Sequence, residues 1–128
     1  MDHNIEIEIR ENCLFAVAKG VRTENSISEI AKEIFDKCAS NNIVKAFVDL
    51  RQLTGRLNIS ESLQVINKLF PEIGIFRKLE KVAVLETNER NERSVFFEQA
   101  AQARGYNIRM FDDQDNAADW LSECKQPA

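Results

Sequence analysis

Two short runs limit the fold of this chain more than any other feature: IVKAFVDL at residues 43–50 and KVAVLET at residues 81–87. Each is apolar on successive residues through its centre, and each precedes a segment of helical character. A strand that is apolar on successive residues is covered on both faces, which is the habit of parallel sheets in α/β proteins. Neither run approaches the roughly 20 residues of a membrane span.

The segments around them complete the pattern. Ile5, Ile7 and Ile9 alternate with Glu6, Glu8 and Arg10, a period of two with one wet face, as at a sheet edge. Glu11-Asn12 is a short turn, and CLFAVAKG (13–20) is a more buried second strand, so the two form a hairpin. SISEIAKEIFDKCASNN (26–42) places Ile27, Ile30, Ala31, Ile34, Phe35 and Cys38 on one helical face, with Ser26 and Glu29 spaced as a capping box. A second helix starts near Asn58 or Ser60 and runs through SESLQVINKLF. Pro71 disfavours helical geometry at Phe70, so an end or a kink is expected there. ERNERSVFFEQAAQARG (89–105) is a helix with an inner stripe of Phe96, Phe97, Ala100 and Ala101, stopped by Gly105. YNIRMF (106–111) is the last strand. Asp112, Asp113 or Asp115 then caps a final helix, NAADWLSEC.

The order β-β-α-β-α-β-α-β-α predicts one α/β domain over residues 1–125 with a frayed tail at 126–128. Its sheet is mixed and mostly parallel, with the antiparallel hairpin at one edge.

Composition narrows the function. With 44% hydrophobic residues, 30% charged residues and a net charge of −4, the chain has a core but no basic face, which argues against nucleic acid. The N-terminus lacks the apolar core of a signal peptide, so the expected location is the cytoplasm. Three cysteines (Cys13, Cys38 and Cys124) and a single histidine, His3, are too scattered for a metal site. Buried, reduced thiols are the simpler account. With one histidine near the N-terminus, Ser-His and Cys-His nucleophilic arrangements have no base. No phosphate-binding glycine loop occurs. The chain is read as a non-enzyme without a cofactor.

Three stretches, AFVDLRQLTG (46–55), KVAVLE (81–86) and IRMFDDQDNAADWL (108–121), resemble the STAS-like family related to anti-sigma-factor antagonists. The resemblance runs from about Cys13 to Leu121. It implies a STAS-like fold, in a superfold shared with CRAL-TRIO lipid-binding domains, and a regulatory binding role. Switch proteins of the wider family carry a phosphorylatable serine in an Asp-Ser-Ser-Gly-like turn after the middle strand. Here Asp49 and Leu50 match the strand end, but RQLTGRLNIS follows and the paired serines are absent. Ser60 and Ser62 are the candidate phosphorylation sites, both outside the family's register.

In open parallel sheets, ligands bind beyond the carboxyl ends of the strands. Those ends supply Arg22 and Thr23, Asp49 and Arg51, Glu86 to Arg90, and Asp112 and Asp113. Arg51, Arg56 and Arg90 could together hold an anion, against the plain alternative of ordinary surface and capping residues. LQVINKLFPEIGIF (63–76) carries more apolar residues than one helix stripe needs. If exposed, Leu63, Ile66, Phe70, Ile73 and Phe76 would mark a protein partner, a homodimer contact or a site for a small apolar, lipid-like ligand under residues 60–78. If covered, they are core. The expected partner or ligand face is therefore Asp49, Arg51, Arg56 and Ser60 together with that apolar set and Arg90.

Overall fold

The computed structural model describes residues 3–73, 79–86 and 92–123. β1 (His3–Arg10) and β2 (Cys13–Val21) form the expected antiparallel hairpin. Its turn residues Glu11 and Asn12 both have left-handed backbones, with φ of 51° and 64°. That is the turn geometry whose twist matches two antiparallel strands. α1 (Glu24–Ser40), β3 (Lys45–Thr54) and α2 (Ile59–Gln64) follow. A π-helical turn (Val65–Leu69) then leads into α3 (Phe70–Ile73). β4 (Lys81–Leu85), α4 (Glu92–Ala103), β5 (Ile108–Phe111) and α5 (Gln114–Glu123) complete the order.

The five strands lie side by side in sequence order, with β1 at one edge and every pair after the hairpin parallel. The mixed, mostly parallel sheet expected from the sequence is therefore present. Alternation along the strands divides the core. Val48, Val82, Val84, Ile108 and Met110 join the larger cluster, under α1, the segment after Asn58 and α4. Phe47, Ala83 and Leu85 point the other way and meet Ala117, Trp120 and Leu121 of α5. This is why the centres of β3 and β4 read as apolar on successive residues: side chains there meet helices on one face or the other.

Two local expectations need correction. The cap of α1 is Thr23, with Ser26 as its reciprocal partner at the third helical position; their side chains exchange hydrogen bonds with each other's backbone N–H at 2.9 Å. Serine and threonine are both good caps, so the spacing alone fits either assignment. Of the end or kink expected at Phe70, the end does not occur. Phe70 is helical at φ −61° and ψ −46°, and its N–H reaches back five residues to the Val65 carbonyl. The widened turn is a π-bulge, one of the few devices by which a helix absorbs a local irregularity and continues. Asn58 caps α2 as expected, in a capping box with Glu61. Asp113 receives the N–H groups of Asp115 and Ala117 at the start of α5.

The apolar surplus after Ser60 is core. Val65 and Ile66 are fully buried, and Phe70 sits edge-on to Phe35, Phe97 and Tyr106 with ring centroids 5.3–6.4 Å apart. Leu63 and Leu69 are half-buried. A partner or homodimer contact built on exposed Phe70 or Ile66 is thereby overturned, because the segment turns both inward between α1, α4 and the sheet. Phe76 and Arg90 lie outside the described residues, as do Cys124 and the 126–128 tail, and Ile73 closes α3.

Candidate functional site: a cavity closed by a buried ion pair

Between α1, α2, α4 and the sheet lies a cavity of about 110 Å³. Isoleucines of α1, valines of β3 and β4, and Phe70 supply much of its wall. Among the described residues, the polar groups on the wall are Arg22, Arg56, Ser62 and Glu86. The cavity thus approaches the carboxyl ends of β2, β3 and β4, where α/β sheets usually bind ligands.

Arg22 and Glu86 close that end. Arg22 follows β2 and Glu86 follows β4, so the pair crosses over β3. Arg22 Nη1 donates to Glu86 Oε2 at 2.6 Å and Nη2 to Oε1 at 2.9 Å, and Nη2 also approaches the Leu50 carbonyl at 3.5 Å. The side chains are only 11% and 5% exposed. Backbone bonds fix both ends: the Arg22 N–H donates to the Thr54 carbonyl at 2.8 Å and the Glu86 N–H to that of Phe111 at 2.9 Å. A charge pair this dry persists only when bidentate geometry compensates for lost hydration. Arg22 Nε is also buried and has no acceptor among the described residues.

Of the three arginines expected to hold an anion together, Arg51 and Arg56 point to different faces, and Arg90 lies outside the described residues. Asp49 lies on the α5 side of the sheet, in register with Lys45 and Phe47, and Arg51 is folded back onto it. Arg51 Nε and Nη2 donate to the two carboxylate oxygens at 3.1 and 2.8 Å, and the Arg51 N–H donates to Oδ1 at 3.0 Å. β3 carries one extra residue relative to β2 at this point, since Val17 pairs with Asp49 but Lys19 with Gln52. Such a bulge re-aims the side chains next to it. Burial pushes the Asp49 carboxyl up, but the hydrogen bonds and charge of Arg51 outweigh it and hold it below the usual carboxylate range. Arg51 therefore serves Asp49 on one face, while Arg56 lines the cavity on the other.

The candidate serines separate as well. Ser60 is exposed in the first turn of α2, and Ser62 is buried on the cavity wall. Gly55, at φ +82°, makes the turn between Arg51 and Arg56 that a side chain would strain. The site residues that sequence reasoning did not pair are Arg22 and Glu86. Each is visible as a charged residue ending an apolar strand, but 64 positions separate them.

The chain matches no protein-family profile. No curated protein is detectably similar in sequence. Similar solved structures do exist. One is an anti-sigma factor antagonist from Mycobacterium paratuberculosis, with a TM-score of 0.60, 9% identity and 93% of each chain covered. Another is an uncharacterized protein of the DUF3478 family with a SpoIIAA-like fold from Shewanella loihica PV-4, with a TM-score of 0.57 and 21% identity over 94% of this chain and 93% of that one. No helix among the described residues is long and apolar enough to cross a membrane. With its sheet, its helix placement and these two likenesses, the chain has a STAS-like, SpoIIAA-type fold.

Proposed function

We propose that this protein is a non-enzymatic regulatory module of the STAS-like type that works in the cytoplasm by binding a protein partner. The observation that carries the proposal is the end-to-end likeness to an anti-sigma factor antagonist. The strand-end charges support it: Arg22 pairs with Glu86 and Arg51 with Asp49, so these groups hold one another instead of activating a nucleophile. The partner face is the 51–60 turn. Arg51, Arg56 and Ser60 are exposed there, and Ile59 is an apolar side chain left 54% exposed. If a kinase acts on this face, its target is Ser60, because Ser62 is buried.

Affinity capture from the native host tests this. The wild-type chain should retrieve a specific protein, and Ile59→Asp with Arg56→Glu should lose it while keeping the native circular dichroism. Retention of the same protein by that variant would sink the assignment of the face. Peptide fragmentation by tandem mass spectrometry should place any phosphate on Ser60.

A second function is favoured by a separate observation, the apolar cavity. The protein would carry or sense a small apolar or amphipathic ligand under the segment that follows Ser60. Native mass spectrometry of protein from its own host should then show a retained small molecule. Consistently bare protein would count against it. The homodimer expected from the sequence has lost Phe70 as its basis, and light scattering should give the monomer mass.

A further inference from the structure

We propose that the cavity takes an uncharged, single-ring-sized molecule with a hydrogen-bond acceptor, and that Arg22 Nε recognises the acceptor. This rests on the ligand-binding function above and narrows it, away from long-chain lipids and from anions.

Size is the first constraint. The cavity measures about 110 Å³, below the ~150 Å³ of an apolar cavity known to stay dry and admit benzene. A molecule of one small ring without an alkyl substituent is the upper limit. An extended acyl chain is too large unless the helices move apart.

Charge is the second. Glu86 already neutralises Arg22 by a bidentate contact. A ligand carboxylate placed there would face the buried Glu86 carboxylate, and a ligand cation would face Arg22. In a site this dry either repulsion is strong. Arg56 also reaches the wall but is an exposed residue, so its charge stays screened by water.

Chemistry is the third. A guanidinium Nε is a donor only. Both Nη atoms of Arg22 are engaged, and Nε is buried without an acceptor among the described residues. A buried donor left unpaired is a cost that folding has not recovered. A ligand carbonyl or ether oxygen recovers it, which a bare hydrocarbon does not. Ser62, buried on the same wall, can donate or accept and so complements such a group.

The test is a methyl NMR titration of the full chain, read at Ile30, Val48, Val84 and Met110 on the cavity wall. Four probes are compared: cyclopentanone, cyclopentane, propionate and decanoate. Cyclopentanone should shift these methyls and bind about ten-fold or more tightly than cyclopentane, as one added hydrogen bond to a charged donor implies. Propionate and decanoate should leave them unmoved. The Arg22→Met, Glu86→Leu double variant should lose most of the preference for cyclopentanone over cyclopentane, and Ala31→Phe should abolish binding of both. Equal binding of cyclopentanone and cyclopentane by the wild type would remove Arg22 from recognition and overturn the proposal. Tighter binding of propionate or decanoate would also overturn it, while leaving a ligand-binding cavity in place. Unmoved methyls with all four probes would defeat the proposal and the ligand-binding function together. The wild-type series needs no variant, so an unfolded mutant leaves the outcome readable.

Discussion

Lys45 and Lys81 stand opposite each other at the starts of neighbouring parallel strands, and both send their ammonium groups to the last turn of the same helix. Lys45 Nζ donates to the Leu121 carbonyl at 3.1 Å, and Lys81 Nζ donates to that of Trp120 at 2.5 Å. Both residues are buried. Two like charges side by side are tolerated because a helix C-terminus offers unpaired carbonyls and a negative dipole end. The Trp120 ring adds a second partner, with Lys81 Nζ 4.6 Å from its centroid.

Lys81→Met should therefore cost about 2 kcal/mol, from one charge-assisted bond and one cation–π contact. The Lys45→Met, Lys81→Met double variant should cost more than the sum of the singles, because each single change relieves the same repulsion, which the double variant can relieve only once. Urea denaturation of the four proteins checks both statements.

Glu86→Leu should be more damaging, by about 3 kcal/mol, since it leaves Arg22 buried and uncompensated. Adding Arg22→Met should restore most of the loss, because an apolar pair of similar volume replaces a dry ion pair at little net cost. If the double variant is as unstable as the single, the clasp is held by something other than its charges. Thermal melts at matched concentration distinguish the cases.

Arg51→Ala acts on Asp49. The backbone N–H of residue 51 still donates to Oδ1, but the side-chain bonds and charge that outweigh burial are gone, so the Asp49 carboxyl should rise from its lowered wild-type position. In the wild type the lowered carboxyl contributes stability that is present above the ordinary value of 3.8 and lost as pH falls through the folded one. The variant's deficit should be about 0.5–1 kcal/mol at neutral pH, small because Arg51 is well exposed. It should shrink towards pH 3. Denaturation midpoints at the two pH values report the difference.

Cys38 should resist alkylation in the native state. Burial, aided by the nearby Cys13 thiol, pushes its pKa up to about 11 from an ordinary 9.0. Because the folded pKa is the higher one, its stabilising contribution is intact below about pH 9 and lost between there and pH 11. Residue-resolved iodoacetamide labelling at pH 8 should leave Cys38 unmodified until denaturant is added. Stability should fall on raising the pH above 9.

These features differ in how visible they are in the sequence. Ile5, Ile7 and Ile9 declare an edge strand because a period of two has one structural meaning. Asn58 and Glu61 declare a helix start because both halves of the capping box lie within four residues. Arg22 and Glu86 declare nothing together, since only the crossing of β3 brings them into contact. Arg51 and Arg56 group together in the sequence because both come after the apolar stretch of one strand; the extra residue in β3 and the waiting Asp49 carboxylate separate them. The apolar richness of residues 63–70 reads as a surplus against the stripe of an ordinary α-helix. The wall it builds across α1, α4 and the sheet is wider than that stripe.

The π turn at Val65–Leu69 gives the cavity wall a tolerance to chain length as well as to composition. It holds one residue of slack in an otherwise helical segment. Asn67 and Lys68 are exposed there, so deleting either removes little buried surface. The deletion would let the segment relax to α-helix, and the residues after it would keep their orientation, because the bulge already absorbs the extra one. Phe70 would stay against Phe35, Phe97 and Tyr106, and the strain would fall on Pro71, whose ring would meet the carbonyl of a tightened turn. A one-codon insertion in the regular turn of α2 has no such slack to take it up, and would swing the aromatic residue away from its partners by about 100°.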